Sequence, residues 1–132
     1  MTKDGKPYEL TRDEAIRLHL QMWSDMQKEL GDKPIAIERI EYKVRWLESH
    51  GYENVAADCF LCEYAKRMWR QNCGLSYASK CQYCPIVWSP LSKYGVSYCG
   101  DRYKDGGHDI YLCAPISEIL ALPERKVSND NA

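Results

Sequence analysis

The chain of 132 residues has almost no phenylalanine, almost no net charge and no long apolar run. Each scarcity excludes something. Without an unbroken apolar stretch there is no candidate transmembrane span, and the opening Met-Thr-Lys-Asp-Gly-Lys-Pro has no secretory pattern behind it. The expectation is a cytoplasmic protein without membrane association, where thiols stay reduced. Internal repeats are absent, so a solenoid is excluded. The formal charge of −1 argues against a strongly cationic nucleic-acid binder. It conceals an uneven distribution: residues 58–104 carry seven Lys/Arg and three Asp/Glu, whereas the segments on either side are net acidic. The central segment could attract phosphate or an acidic protein surface, and equally could be an ordinary solvated face.

Against one phenylalanine stand ten tyrosines, four tryptophans and seven cysteines. Four of the cysteines form two Cys-x-x-Cys motifs, Cys59-Phe-Leu-Cys62 and Cys81-Gln-Tyr-Cys84, with eighteen residues between them. Two intervening residues let one tight turn aim two sulfurs at one ion, and two such turns complete a tetrahedral thiolate set. The expected cofactor is structural zinc on Cys59, Cys62, Cys81 and Cys84. A rubredoxin-like iron or an iron–sulfur cluster shares that ligand set, and a redox dithiol shares the motif. A closed four-sulfur site leaves no coordination position for substrate, so no catalysis is expected. Cys73, Cys99, His108 and Cys113 form a candidate second metal site, against the alternative of buried, inert thiols. Cys73 could also replace a knuckle cysteine. A Cys/His nucleophilic pair would need Cys99 or Cys113 beside His108 or His19, with no orienting third group evident.

Local signals place these motifs. Thr11-Arg-Asp-Glu14 is a capping box and Leu10 sits at the staple position, predicting a helix from Arg12 to about Leu30. Ile16, His19, Trp23, Met26 and Leu30 share its inner stripe, with Ala15 and Met22 beside them, and Gly31 ends it. On that stripe His19 reads as a core or boundary residue. A second helix is expected from Pro34 to His50, with Ile37, Ile40, Val44 and Leu47 inward and Gly51 at its end. His50 would interact with the free carbonyls there. Leu61 to Asn72 reads as a third helix growing from the first knuckle, with Lys66, Arg67 and Arg70 on its wetter side. Residues 86–112 read as short strands and loops, and a last short helix follows Pro115. The expected fold is α-rich α+β: a helical pair (11–52) joined to a treble-clef or ribbon-like zinc-knuckle unit with short strands (53–123), flanked by a flexible arm (1–10) and a flexible tail (124–132).

Leu10-Thr-Arg-Asp-Glu-Ala-Ile-Arg-Leu-His19 with Met22-Trp23, Cys59-Phe-Leu-Cys-Glu-Tyr-Ala65, Cys81-Gln-Tyr-Cys-Pro-Ile-Val-Trp88 and Leu122-Pro-Glu-Arg125 together resemble a group of small cysteine-rich proteins of bacteriophages and prophages of Firmicutes. The resemblance spans residues 10–125 and implies a phage-type protein with a helical N-terminal part and a Cys-x-x-Cys pair. It implies no activity. By analogy it favours binding a host protein, as an inhibitor of a host or defence factor. Tyr and Trp suit binding surfaces because one edge stays polar. The candidate contact residues are Arg67, Arg70, Lys80, Tyr83, Trp88, Lys93, Tyr94, Tyr98, Arg102 and Tyr103. The same aromatics and cations could instead stack bases and neutralise phosphates, giving a nucleic-acid-binding zinc module, or capture a nucleotide. They could also cover a small core around the metal.

Overall fold

The protein is described by a computed structural model covering residues 1–73 and 80–126, with side chains outside the description at positions 72 and 73. Its elements are β1 (Thr2–Lys3), β2 (Lys6–Pro7), α1 (Arg12–Leu30), α2 (Ala36–Ser49), β3 (Tyr52–Glu53), α3 (Phe60–Cys73), α4 (Ile110–Cys113) and α5 (Ile116–Leu120). Helices predominate beside one small antiparallel sheet of order β2-β1-β3, so the α-rich α+β expectation holds. No helix among the described residues is long and apolar enough to cross a membrane.

Helix α1 begins where its cap dictates. The Thr11 hydroxyl accepts from the Glu14 amide at 3.1 Å, and the Glu14 carboxylate accepts from the Thr11 amide at 3.3 Å. Such a reciprocal cap contributes about 1 kcal/mol. Of the predicted stripe, Ile16, His19, Trp23 and Met26 are buried with Ala15 and Met22, Leu30 is half-buried, and Leu18 is buried in addition. Gly31 closes the helix with its amide on the Gln27 carbonyl.

Two expectations are corrected. Residues 1–10, expected to be a flexible arm, form a hairpin whose first strand pairs Thr2 with Glu53 and Lys3 with Tyr52. Gly51 makes this possible. It has a positive φ of 79°, and a Cβ there would fall 2.0 Å from the Asp4 carboxylate. The second correction concerns α2. Ile37, Ile40 and Val44 are not core residues but are 53%, 45% and 40% exposed. The buried face carries Arg39, Tyr42, Lys43, Trp46 and Leu47. Aromatic area wins over three aliphatic side chains, because Trp46 and Tyr42 remove more apolar surface from water. Trp46 packs against Tyr52 and Phe60, and its indole donates to Asp25 at 3.0 Å. Arg39 is tolerated inside because its donors meet the carbonyls of Pro34 at 2.8 Å and Ala114 at 2.7 Å.

The stretch after the second knuckle contains no extended strand among the described residues, only isolated pairings such as Ser92 with Tyr103 and Arg102 with Asp109. Residues 124 and 125, expected in the flexible tail, are held in place. Arg125 donates to the Cys84 carbonyl at 2.9 Å, and Val87 donates to the Pro123 carbonyl at 2.9 Å, which locks the end of the described chain over the second knuckle. Residues 127–132 of that expected tail, and 74–79 of the expected inter-knuckle loop, lie outside the described residues.

Asp32, in the turn between α1 and α2, caps α5 across the fold. Its carboxylate accepts from the Ser117 amide at 2.7 Å and hydroxyl at 3.0 Å, and from Gln27 at 3.0 Å. The Ser117 amide is the main reason its pKa lies below the ordinary carboxylate value. A depressed pKa stabilises the fold above the ordinary carboxylate range, and that contribution is lost as pH falls through the folded value. Asp32→Ala is expected to lower stability by about 1–2 kcal/mol at neutral pH and to flatten the acid limb of the stability curve, measured by urea unfolding between neutral and acidic pH.

Candidate functional site

Three chain segments bring sulfur to one place beside α1. Cys59 immediately precedes α3 and Cys62 lies in its first turn, the end of a helix whose partial positive charge favours thiolates. Consecutive left-handed residues, Ala57 at φ 53° and Asp58 at φ 51°, turn the chain into that helix. A 3-10 turn at Lys80–Tyr83 carries Cys81, and the Cys84 amide returns to the Cys81 carbonyl at 3.3 Å. Cys99 arrives from the following loop, held by the Tyr111 amide on its carbonyl at 3.3 Å.

The five sulfurs border two adjoining cavities. One, of about 190 Å³, is lined by Cys59, Cys62, Cys81 and Cys99 with Trp23, Lys43, Lys80, Trp88, Tyr98 and Tyr111. The other, of about 10 Å³, is lined by Cys62, Cys81, Cys84 and Cys99 with Trp88 and Tyr98. All six cysteines with described side chains are free thiols. Among the described residues no three His, Cys, Asp or Glu side chains stand in an assembled metal-holding array. The donors surround shared space instead, and their chemistry suits a thiophilic ion: Cys59, Cys62, Cys81, Cys84, Cys99 and the adjacent imidazole of His19 are the residues that could hold one.

Electrostatics distribute charge unequally over the cluster. The neighbouring thiols of Cys62 and Cys59 are displaced in opposite directions by their mutual interaction. The Cys59 thiol is pulled well below its ordinary value by Cys62 first, then by His19 and Lys43, against burial. The Cys62 thiol is pushed far up by the same interaction and by burial. Burial raises Cys84, opposed by the Ile86 amide and by the Trp88 indole, which donates to the Cys84 sulfur at 3.5 Å. Burial likewise raises Cys99, to about 12, with the charges of Cys59, Cys84 and Cys81 adding to the effect. His19 is 1% exposed, and neither ring nitrogen completes a hydrogen bond of ordinary geometry, although the ring is near enough to Cys59 to favour its thiolate. The same ring lies edge-on to Trp88, with centroids 6.0 Å apart.

The candidate second site is divided. Cys99 joins the knuckle sulfurs, whereas Cys113 donates to the His108 carbonyl at 3.4 Å and the His108 side chain is exposed. The Cys73 side chain lies outside the described residues. The candidate contact residues also separate. Trp88 and Tyr103 are buried at 3% and 7%, and Tyr103 donates to Glu118 at 2.5 Å, so these two are structural. Arg67 is bound to the Leu10 carbonyl, Arg102 to the Gly107 carbonyl at 2.9 Å, and Tyr83 is half-buried. Arg70, Lys93, Tyr94 and Tyr98 are exposed, and Lys80 lines both cavities.

Sequence reading missed His19, Lys43 and Tyr111 as residues of this site. A usable signal existed for one of them: a lone imidazole on the apolar stripe of α1, one turn before Trp23. No family model matches the chain, and neither a curated protein nor a solved structure does.

Trp88→Phe preserves ring packing while deleting the donor to Cys84. In chelator-treated protein, alkylation of Cys84 near pH 8 should slow about threefold, because a lost N–H···S bond raises the thiol further. Peptide-resolved mass spectrometry reads the rate, and an unchanged rate contradicts the role given to the indole.

Proposed function

We propose that this chain is a phage-encoded, zinc-stapled binding protein that engages a host protein in the host cytoplasm and inhibits it. The phage assignment is supported by the resemblance carried by the α1, knuckle and Leu122–Arg125 pieces. Zinc is supported by the donor chemistry of Cys59, Cys62, Cys81 and Cys84, which come from two turns and border adjoining space, with Cys84 receiving N–H donors from Trp88 and Ile86. In this reading the metal joins α3 to the second knuckle and carries no chemistry of its own.

The observation that carries the binding role is the outer face of α2. Ile37, Ile40 and Val44 fall at successive helical turns and are all exposed, extended by Ile35 at 62%. The rim is mainly acidic: Glu38, Glu41 and Glu48 are exposed around the stripe, against Arg45, paired with Glu29 at 3.6 Å, and Lys33 at the Ile35 end. The complementary partner surface is therefore apolar and bordered by Lys or Arg. A second reading, nucleic-acid binding, is favoured by a separate observation. Tyr94 and Tyr98 are 64% and 47% exposed, and Lys93 lies over the Tyr94 ring at 5.8 Å, which puts an exposed ring next to a cation. Nucleotide capture would use the same rings.

Two experiments test this reading. Tagged wild-type protein, expressed in a host, should co-purify one partner in defined stoichiometry. The Ile40→Asp/Val44→Asp variant should lose at least tenfold of that partner while its Tm stays within a few degrees, since both side chains face solvent. Equal retention by the variant rejects the α2 interface, and salt-sensitive binding to nucleic acid that is lost in Tyr94→Ala/Tyr98→Ala establishes the second reading instead. Separately, elemental mass spectrometry should find zinc in protein purified without added metal. Chelation should expose the amides of α3 to hydrogen exchange before those of α1. Metal-free protein whose exchange is indifferent to chelator contradicts the staple.

A further inference from the structure

A four-thiolate staple leaves two donors unexplained, Cys99 and His19. Cys99 lines both cavities at the knuckles, as Cys62 and Cys81 do. Cys59 borders only the larger cavity and Cys84 only the smaller. The space is thus divided into two compartments, each faced by four sulfurs, with three sulfurs common to both. His19 stands beside Cys59, buried, and neither ring nitrogen completes a hydrogen bond of ordinary geometry. A buried polar atom left without a good partner is destabilising, and a coordinate bond removes that cost for the nitrogen that makes it.

We propose that the pocket is a centre for two zinc ions, held by Cys59, Cys62, Cys81, Cys84, Cys99 and His19. This rests on the zinc-stapled reading above and replaces its single four-thiolate site. The donor count closes. Each zinc takes four ligands in a tetrahedral arrangement. Six donors, two of them thiolates shared between the ions, supply eight coordination positions. The shared thiolates come from Cys62, Cys81 and Cys99, the three that face both compartments. Charge points the same way. Metal binding removes the thiol protons. Five thiolates around one divalent ion leave three negative charges in a largely buried site, whereas two ions leave one, next to Lys43 and Lys80. Cys113 has no part in the centre. Its thiol donates to the His108 carbonyl, so its removal serves as a matched control.

The experiment is native mass spectrometry of the full chain purified without added metal, compared with its denatured mass, for wild type, Cys99→Ser and Cys113→Ser. Cobalt titration of the metal-free wild type, followed by the thiolate-to-cobalt charge-transfer absorption, runs alongside. Two zinc ions in wild type and in Cys113→Ser, one or none in Cys99→Ser, and a cobalt band that saturates at two equivalents are expected. One ion per wild-type chain, with cobalt saturating at one equivalent, overturns the two-ion centre and leaves the four-thiolate staple standing. Two ions retained in Cys99→Ser also overturn the donor set. No metal in wild type rejects both readings at once. Should Cys99→Ser fail to fold, the wild-type stoichiometry and cobalt endpoint decide alone.

Discussion

Everything around the knuckles depends on holding five cysteine sulfurs against the buried side of one helix. Sulfurs crowd poorly in an apolar interior when any of them is charged, and burial raises Cys84 and Cys99 accordingly. The fold answers with fixed donors and cations. The Trp88 indole and the Ile86 amide face Cys84, while His19 and Lys43 face Cys59. His19 comes from α1, Lys43 from α2, and Ile86 and Trp88 from the loop after Cys84, so the sulfur cluster is also where α1, α2, α3 and that loop meet. In the proposed state metal takes over the task of neutralising that charge, and the surrounding donors become its supporting shell.

The unusual inner face of α2 follows from the same constraint. Lys43 is 9% exposed, and Arg39 1%. Neither would be buried without partners. Arg39 meets two backbone carbonyls, and Lys43 lies over the Tyr111 ring at 5.7 Å and borders the sulfur cavity. Turning these cations inward, together with Tyr42 and Trp46, turns Ile37, Ile40 and Val44 outward. A helix that must serve the cluster on one side is left with an apolar stripe on the other. That links the construction of the pocket to the surface assigned to partner recognition.

The closing segment is a clamp. Arg125 reaches the Cys84 carbonyl and Ser97, its own carbonyl is bound by Arg12, and the Glu124 position pairs with Ile86. These contacts tie the beginning of α1 to the second Cys-x-x-Cys turn. The hairpin of β1 and β2 is a second closure, fastened to β3 through Asp4 and Gly51.

Local chemistry was legible in the sequence wherever short-range rules decide. The capping box and Gly31 set the limits of α1, and the two Cys-x-x-Cys turns identified four of the clustered sulfurs. Helical spacing also read most of the buried face of α1, missing Leu18, because Ile16, Trp23 and Met26 fall on one stripe. The same rule misread α2, which has two candidate faces. Only packing against Phe60, Tyr52 and the sulfur pocket decided that Trp46, Tyr42 and two cations lie inside. Likewise no spacing rule relates Cys99 to Cys62, or His19 to Cys59, since those residues are brought together by loop path and helix docking. The sequence by itself therefore determined the turns, the caps and the kinds of donor. Tertiary structure alone decided which donors share a cavity and which helix face remains open, because both depend on contacts between residues far apart in the chain.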